Sequence, residues 1–351
     1  MQFKNVLVTG SAGFIGSNFV PYFLETHPNL HVVSLDKLTY AGNLENLSSL
    51  TNEKRHTFVE GDICNASLVG SLFDEYQFDL VIHFAAESHV DNSIRNPKVF
   101  LETNVIGTFE LLQKAYTTWF SAPFTKKQGF ESARFLHIST DEVFGSLDAD
   151  GFFTENSPYK PNSPYSASKA SSDHLVRSYY HTYGMPVMIT NCSNNYGPKQ
   201  HDEKLIPTII RNALMEKGIP IYGTGMNVRD WLYVLDHAKG IEKVLLGGKL
   251  GETYNIGGNN ELTNNQVVKV ICDYLDKKIP RDSGKSYSEL ITYVKDRPGH
   301  DKRYAIDASK MKAELGWVPE ETFGTGIIKT IDWYVEKYKQ SFSLKRNHGI
   351  K

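Results

Sequence analysis

Eleven residues near the start, VTGSAGFIGSN (8–18), constrain the fold more than any other stretch. They set Gly10, Gly13 and Gly16 between an apolar run, Val6–Thr9, and a stretch of helical length, Phe14–Thr26. The spacing G-x-x-G-x-x-G lets backbone amides at a helix N-terminus approach a pyrophosphate. A second apolar run, Val32–Asp36, ends in a carboxylate twenty residues after Gly16. An acid there accepts from the 2′- and 3′-hydroxyls of an adenosine ribose and repels a 2′-phosphate, so NAD is favoured over NADP. The alternative is a tight glycine turn that holds no ligand.

Further apolar runs of strand length follow at Thr57–Gly61, Leu80–Ala85 and Phe135–Ser139, with helical lengths between them, such as Val99–Tyr116. This alternation predicts an α/β fold, a doubly wound parallel sheet of Rossmann type. A helix starting near Tyr165 and a strand over Pro186–Cys192 extend it. Residues 1–190 are therefore read as an NAD-binding domain, with segments near 227–256 returning to it, and 191–351 mainly as a smaller substrate domain. In the latter the pattern predicts helices at Leu205–Glu216, from Asp236, near Asn264–Leu275 and near Gly326–Tyr338, and a strand in NVRDWLYV (227–234). Segment 121–133 reads as a surface excursion.

The 351 residues are 40% hydrophobic, enough for a sizeable core. Thirty-eight Lys and Arg against forty Asp and Glu, with no basic block, argue against nucleic acid as a partner. Cys64, Cys192 and Cys272 lie far apart and odd in number, which suggests neither a disulfide framework nor a zinc site. Nothing at metal-ligand spacing joins His89 and His300, so no metal is expected. MQFKN passes straight into VLVTG without a signal core, and no apolar run approaches the length of a membrane span. A soluble cytoplasmic protein is the expectation.

Two motifs carry chemistry. In SPYSASKAS, Tyr165 and Lys169 are four apart, which stacks them on one helix face, and Pro164 suits a first turn. An ammonium near the phenol would lower a pKa that starts near ~10 and make Tyr165 a base, although an exposed pair on a helix surface reads the same way. In STDEVFG (139–145), Asp141 and Glu142 stand side by side after a strand. Strand neighbours point to opposite faces, so both acids can share a site only if the strand ends at Ser139 and they occupy the loop beyond. Capping and solubilising that loop is the alternative.

With TGSAGFIG, YSASK and Ser139-Thr140, the chain resembles the extended short-chain dehydrogenase family. AAESHVDNSI, SNNYGP, EKLIP, NVRDWLYV and DRPGHDKRYAID narrow the resemblance to its nucleotide-sugar 4,6-dehydratases, from about residue 4 to about residue 335. The resemblance implies a bound NAD, a nucleoside-diphosphate hexose substrate and a homodimer packed through Val99–Tyr116 and Ser166–Tyr183. It implies that Tyr165, with Lys169 and Thr140, acts at the sugar C4, Glu142 as base at C5 and Asp141 as acid at the C6 hydroxyl. Cofactor contacts are expected from Gly10, Gly13, Phe14, Ile15, Gly16, Asp36, Lys37, Leu38, Thr39, Asp62, Ile63, Ala85, Ala86, Ser88, Thr103, Tyr165, Lys169 and Asn195. Substrate contacts are implied for Ser88, Thr140, Asn194, Lys204, Leu205, Tyr222, Arg229, Asn264, Arg297 and His300. Phe144, Asn92, Thr224 and Leu235 depart from the family's usual residues, and the nucleobase, thymine or uracil, is left open. A nucleotide-sugar 4-epimerase and a non-catalytic NAD-binding module are the competing readings. The adjacent acids argue against the first and the full catalytic set against the second.

Overall fold

Val6 and Val8 of the first strand, β1 (Asn5–Thr9), enter one hydrophobic cluster and Leu7 enters another. Successive side chains of a strand point to opposite faces, so this sheet is covered on both sides. The computed structural model describes residues 3–347, with side chains to residue 339. The chain continues through α1 (Phe14–Thr26), β2 (His31–Asp36), β3 (His56–Glu60), α2 (Ala66–Tyr76) and β4 (Leu80–His83). Next come α3 (Val90–Arg95), α4 (Pro97–Leu101), a π-helical segment Glu102–Gly107, and α5 (Thr108–Trp119). A hairpin of β5 (Phe120–Ala122) and β6 (Thr125–Lys126) leads to β7 (Arg134–Thr140), a 3-10 turn Asp141–Phe144, α6 (Pro164–Tyr183) and β8 (Val187–Cys192).

The later chain holds β9 (Asn194–Tyr196), α7 (Leu205–Leu214), β10 (Ile219–Tyr222), β11 (Val228–Tyr233), α8 (Val234–Gly247) and β12 (Thr253–Ile256). It ends in β13 (Glu261–Thr263), α9 (Asn264–Lys278), β14 (Ile291–Val294), α10 (Ser309–Leu315) and α11 (Phe323–Asn347). Seven parallel strands form the main sheet in the order β12-β8-β7-β4-β1-β2-β3. The order reverses between β1 and β4, and a crevice at the strands' carboxyl ends follows from that reversal. Buried Phe19, Phe23, Ile241 and Val244 from α1 and α8 cover one face; Phe73, Leu111, Trp119 and Val176 from α2, α5 and α6 cover the other. A third cluster joins α7, α9 and α11 to a three-stranded sheet, β13-β11-β9, and β10 pairs with β14.

Several expected boundaries move, each for a local reason. The run 80–85 leaves the sheet at His83: the Phe84 and Ala85 amides turn to bond the Thr9 carbonyl and hydroxyl. The helix expected over 99–116 is broken by the π segment, within which the Asn104 side chain accepts from the Glu87 amide and donates to the Glu87 carbonyl and the Ser168 hydroxyl. Such bulges break the helical period, so periodicity alone does not find them. Helix α7 stops at Leu214 because Glu216 takes a left-handed φ of 52°. Of the segment 227–256, β12 joins the main sheet and α8 covers it, whereas β11 belongs to the small sheet. Segment 121–133 contains most of the β5–β6 hairpin. Among the described residues no helix is long and apolar enough to cross a membrane.

Candidate active site

A cleft of about 310 Å³ opens along the carboxyl ends of β1, β2, β4 and β7. Gly10 sits at its floor with φ +71°, and a Cβ there would lie 2.6 Å from the Ala85 backbone nitrogen, so a glycine is required where β1 and β4 diverge. Helix α1 begins at Gly13 with no side-chain cap, which leaves its first amides free for an anion. Asp36 is already committed to this cradle: Oδ2 accepts from the Ala12 amide at 2.9 Å and Oδ1 from the Leu38 amide at 2.9 Å. Burial raises its pKa, and the backbone donors partly offset that. Lys37 pairs with Asp62 at 2.6 Å across the next strand end. Asn194 Oδ1, in the lining of the cleft, is buried without a hydrogen-bond partner among the described residues. The cradle, the uncapped helix and this orphaned oxygen fit a dinucleotide.

All the cofactor contacts expected from sequence line this cleft except Leu38, which instead forms the left-handed corner (φ 51°) beside Asp36.

Strand β7 carries one residue further than expected: Thr140 still pairs opposite Cys192. Its hydroxyl then caps the 3-10 turn by accepting from the Glu142 amide at 3.3 Å and donates to Asp141 Oδ1 at 3.3 Å. The acids therefore lie in a helical turn rather than a loop; neighbours there do not point to opposite faces as in a strand, and both line the cleft. Their environments differ. Burial, then the charges of Glu142 and Asp230, push Asp141 well above the usual carboxylate range, and its Oδ2 has no partner among the described residues. Burial raises Glu142 too, but Arg297, Arg229 and Lys204 oppose it. Both carboxyls are raised, but Glu142 is opposed by three cations and Asp141 by Arg229 alone among them, which favours the anion at Glu142.

The Tyr165–Lys169 expectation needs correction. A capping box of Ser163 and Ser166, with Pro164 in the first turn, starts α6 and sets both residues on its inner face. The lysine, however, reaches back to the strand and donates to the Ile138 carbonyl at 2.9 Å. Burial, Glu142, Cys192 and Asp141 raise the Tyr165 phenol well above its ordinary value, with Thr140 acting against them. The charge of Lys169 is not among the main influences on that phenol, so the expected lowering by the lysine is not found. Burial pulls Lys169 down to about 8.

The residues implied for substrate form a wall beside the cleft. Only Ser88, Thr140, Asn194 and Lys204 line the cleft itself. Arg229 is buried, donating to the Val228 carbonyl at 2.8 Å and the Asp301 carbonyl at 2.9 Å, with its guanidinium 4.2 Å from the Tyr304 ring. Carbonyls orient it without cancelling its charge. Lys204 Nζ lies 3.3 Å from the Ser88 carbonyl, Arg297 lies 3.9 Å from Asp91, and His300 bonds Asp296 at 2.6 Å with the Tyr222 ring 6.4 Å away. Leu205 opens α7, and Asn264 opens α9 with its amide on the Asn227 carbonyl.

The family described as GDP-mannose 4,6 dehydratase matches residues 7–330. This chain belongs to that family. It is 56% identical over 329 residues to a dTDP-glucose 4,6-dehydratase of Xanthomonas campestris pv. campestris, covering 94% of this chain and 92% of the relative. An Escherichia coli dTDP-glucose 4,6-dehydratase is 54% identical over 339 residues, with the same coverages. Among solved structures, the dTDP-glucose 4,6-dehydratase of Bacillus anthracis in complex with NAD superposes with a TM-score of 0.84 at 46% identity, covering 96% of this chain and 98% of that one. A UDP-glucose 4-epimerase of Thermotoga maritima reaches 0.82 at 27% identity, covering 95% and 99%. The fold is thus shared across the family's wider kin, while identity favours the dehydratases.

Some residues in or near the cleft carried no signal in the sequence. Lys199, at φ 69°, donates to the carbonyls of Ser17 and Asn46 at 2.9 and 2.8 Å, tying the chain after β9 to α1 and the segment after β2. Glu87 and Glu203 line the cleft beside Lys204. His137 and Asp173 lie buried behind Lys169, found only once β7 and α6 are packed together.

Proposed function

We propose that this chain is a dTDP-glucose 4,6-dehydratase that keeps NAD bound and converts the sugar nucleotide to a 4-keto-6-deoxy product and water. The observation that carries the proposal is that Asp141, buried with an unpartnered Oδ2, and Glu142, under the charges of Arg297, Arg229 and Lys204, share one turn at the cleft beside Tyr165. NAD would be held by the Gly10–Gly16 cradle, Asp36 and Lys169, and when bound it supplies hydride acceptance at C4 and hydride return at C6. Tyr165, aligned by Thr140, takes the proton of the C4 hydroxyl. Oxidation there acidifies C5, where Glu142 takes the proton, and Asp141 gives its proton to the departing C6 hydroxyl, which leaves as water. Arg229, Arg297 and Lys204 suit the diphosphate.

The same reading makes the enzyme a homodimer through α5 and α6: Leu101, Ile106 and Phe109 present exposed apolar side chains along 97–119. Light scattering on the purified protein would return a dimer mass if so, and a monomer mass if not. An epimerase would need no acid and base at C5 and C6. Incubation with dTDP-glucose should therefore yield a 4-keto-6-deoxy sugar nucleotide, with UDP-glucose turned over less efficiently. Formation of dTDP-galactose, or no product, would reject the proposal.

A further inference from the structure

Behind the cleft, on the far side of Lys169 from the substrate wall, lies a polar cluster that the proposed reaction leaves unused. Its centre is Asp173, one helical turn beyond Lys169 on α6 and without solvent exposure. Its Oδ2 accepts from the hydroxyls of Ser139 and Tyr159, each at 2.9 Å, and from the Asn191 amide at 3.4 Å. Its Oδ1 makes no hydrogen bond among the described residues and lies 3.2 Å from His137 Nε2, which the Ser172 hydroxyl also meets at 3.2 Å. That same nitrogen stands 3.3 Å from the Lys169 ammonium.

We propose that Asp173, acting by its charge across the neutral His137 ring, is a positioning residue for Lys169: it supplies the buried negative charge that keeps the ammonium protonated and turned to the Ile138 carbonyl at the cleft edge. Three donors on one oxygen fix the carboxylate and leave the other aimed at the imidazole. A charged lysine buried without a counter-ion would lose its proton, and the lysine makes no direct ion pair among the described residues. Burial alone would raise Asp173, but His137, Lys169 and Ser139 outweigh it and hold it below its ordinary value, so the anion is present. Burial and Lys169 hold His137 at about 4, so the ring stays neutral and lies between carboxylate and ammonium without competing as a second cation.

The other groups facing Lys169 do not replace this charge. His83 on β4 is neutral, its ring nitrogens shared between Thr9 and Thr108. Burial keeps Cys192 on β8 a thiol, and Tyr165 on α6 is held as a phenol. Asp141 and Glu142, on the turn after β7, act on Tyr165 from the cleft side.

The inference rests on the role given to Lys169 above, so its test reads the lysine directly. In the NAD-bound full chain, the Lys169 ammonium can be titrated by nitrogen-15 NMR, assigned with Lys169→Arg. Asp173→Asn keeps size and removes the charge, and should lower the titration point by roughly 1 to 3 pH units. The alkaline limb of kcat should move down with it while KM for dTDP-glucose stays unchanged; a merely structural defect would lower activity evenly across pH. A folded Asp173→Asn whose lysine titrates as in the wild type overturns the inference. A lysine that shifts while the kcat profile does not supports it and rejects the role of Lys169 in the reaction. If Asp173→Asn does not fold, Tyr159→Phe decides: removing a donor concentrates charge on the carboxylate and should raise the lysine's titration point, and any other result overturns the inference.

Discussion

The two sides of the cleft are built by different means. On the cofactor side, recognition comes from strand ends and backbone amides, with Gly10, Gly13 and Asp36 contributed by one βαβ unit. On the substrate side, Arg229 sits on β11, Lys204 precedes α7, and Arg297 and His300 follow β14. One side is fixed by covalent neighbours and the other by packing between distant segments. The first should therefore tolerate almost no change of backbone, whereas the second should lose affinity by increments. The acid pair stands at the seam, on the turn that follows β7.

Changes at that seam should have the largest effect. Glu142→Gln removes the base and keeps size, and should cut kcat by roughly 10²–10⁴-fold with KM little changed. Because Tyr165 still acts, reduced cofactor absorbance should build up on the enzyme; Tyr165→Phe should show none. Near-normal turnover by Glu142→Gln would undo the division of labour between the two acids.

Next comes the rigid side. Gly10→Ala combines a left-handed φ with a Cβ 2.6 Å from backbone, and the Ala85 nitrogen cannot move without shifting β4. The purified variant should carry little NAD and melt lower. Gly316→Ala is the matched control: its φ is +64° but a Cβ there meets nothing within 4 Å, so it should cost only about 1–2 kcal/mol and leave NAD content unchanged. Equal NAD content in the two variants would show that the cradle is not closely fitted.

On the other side, Arg229→Ala should mainly raise KM for the sugar nucleotide, since a diphosphate contact made in the ground state persists in the transition state. Arg229→Lys should recover part of the loss, because a lysine keeps the charge but not the fork that the Val228 and Asp301 carbonyls orient. A fall in kcat at constant KM would reassign this arginine to the chemistry.

The contrast also explains what could be read in the sequence. Local patterns cover the cofactor side: the glycine spacing, the alternation of apolar runs and the acid ending β2 need only neighbours in the chain, and helix α1 begins and ends where its pattern says. Tertiary placement is invisible to such patterns. The tyrosine–lysine spacing located the inner face of α6 but not the direction of the lysine, which is set by the Ile138 carbonyl on another element. Periodicity likewise passed through the π segment, because Asn104 is held by Glu87 and Ser168 rather than by its own helix. The substrate wall was legible only through resemblance, since no local rule joins Lys204, Arg229 and Arg297.

The smallest effect is expected in acid, and it should separate the two sides again. His83 and His137 are buried beneath the cofactor cleft and held neutral, His83 well below its ordinary value by burial, His137 and Lys169, and His137 at about 4 by burial and Lys169 against the opposing Asp173. Unfolded, each would titrate near ~6.5. Their folded values are depressed, so the stability tied to neutrality is complete above the unfolded value and is lost as pH falls from about 6.5 towards the folded values. In that window the unfolded state binds more protons, and each such histidine makes stability fall by about 1.4 kcal/mol per pH unit. His300, on the substrate side, is lowered by burial and Arg297 but bonds Asp296, so protonation there gains a partner. Hydrogen exchange followed from pH 6.5 to 5 should show protection falling first in β4 and β7 and later in α9 and α11. His83→Gln, which can still bond Thr9 and Thr108 but does not titrate, should flatten the slope of unfolding free energy over that range. An unchanged slope would mean that the acid response of the sheet comes from its carboxylates instead.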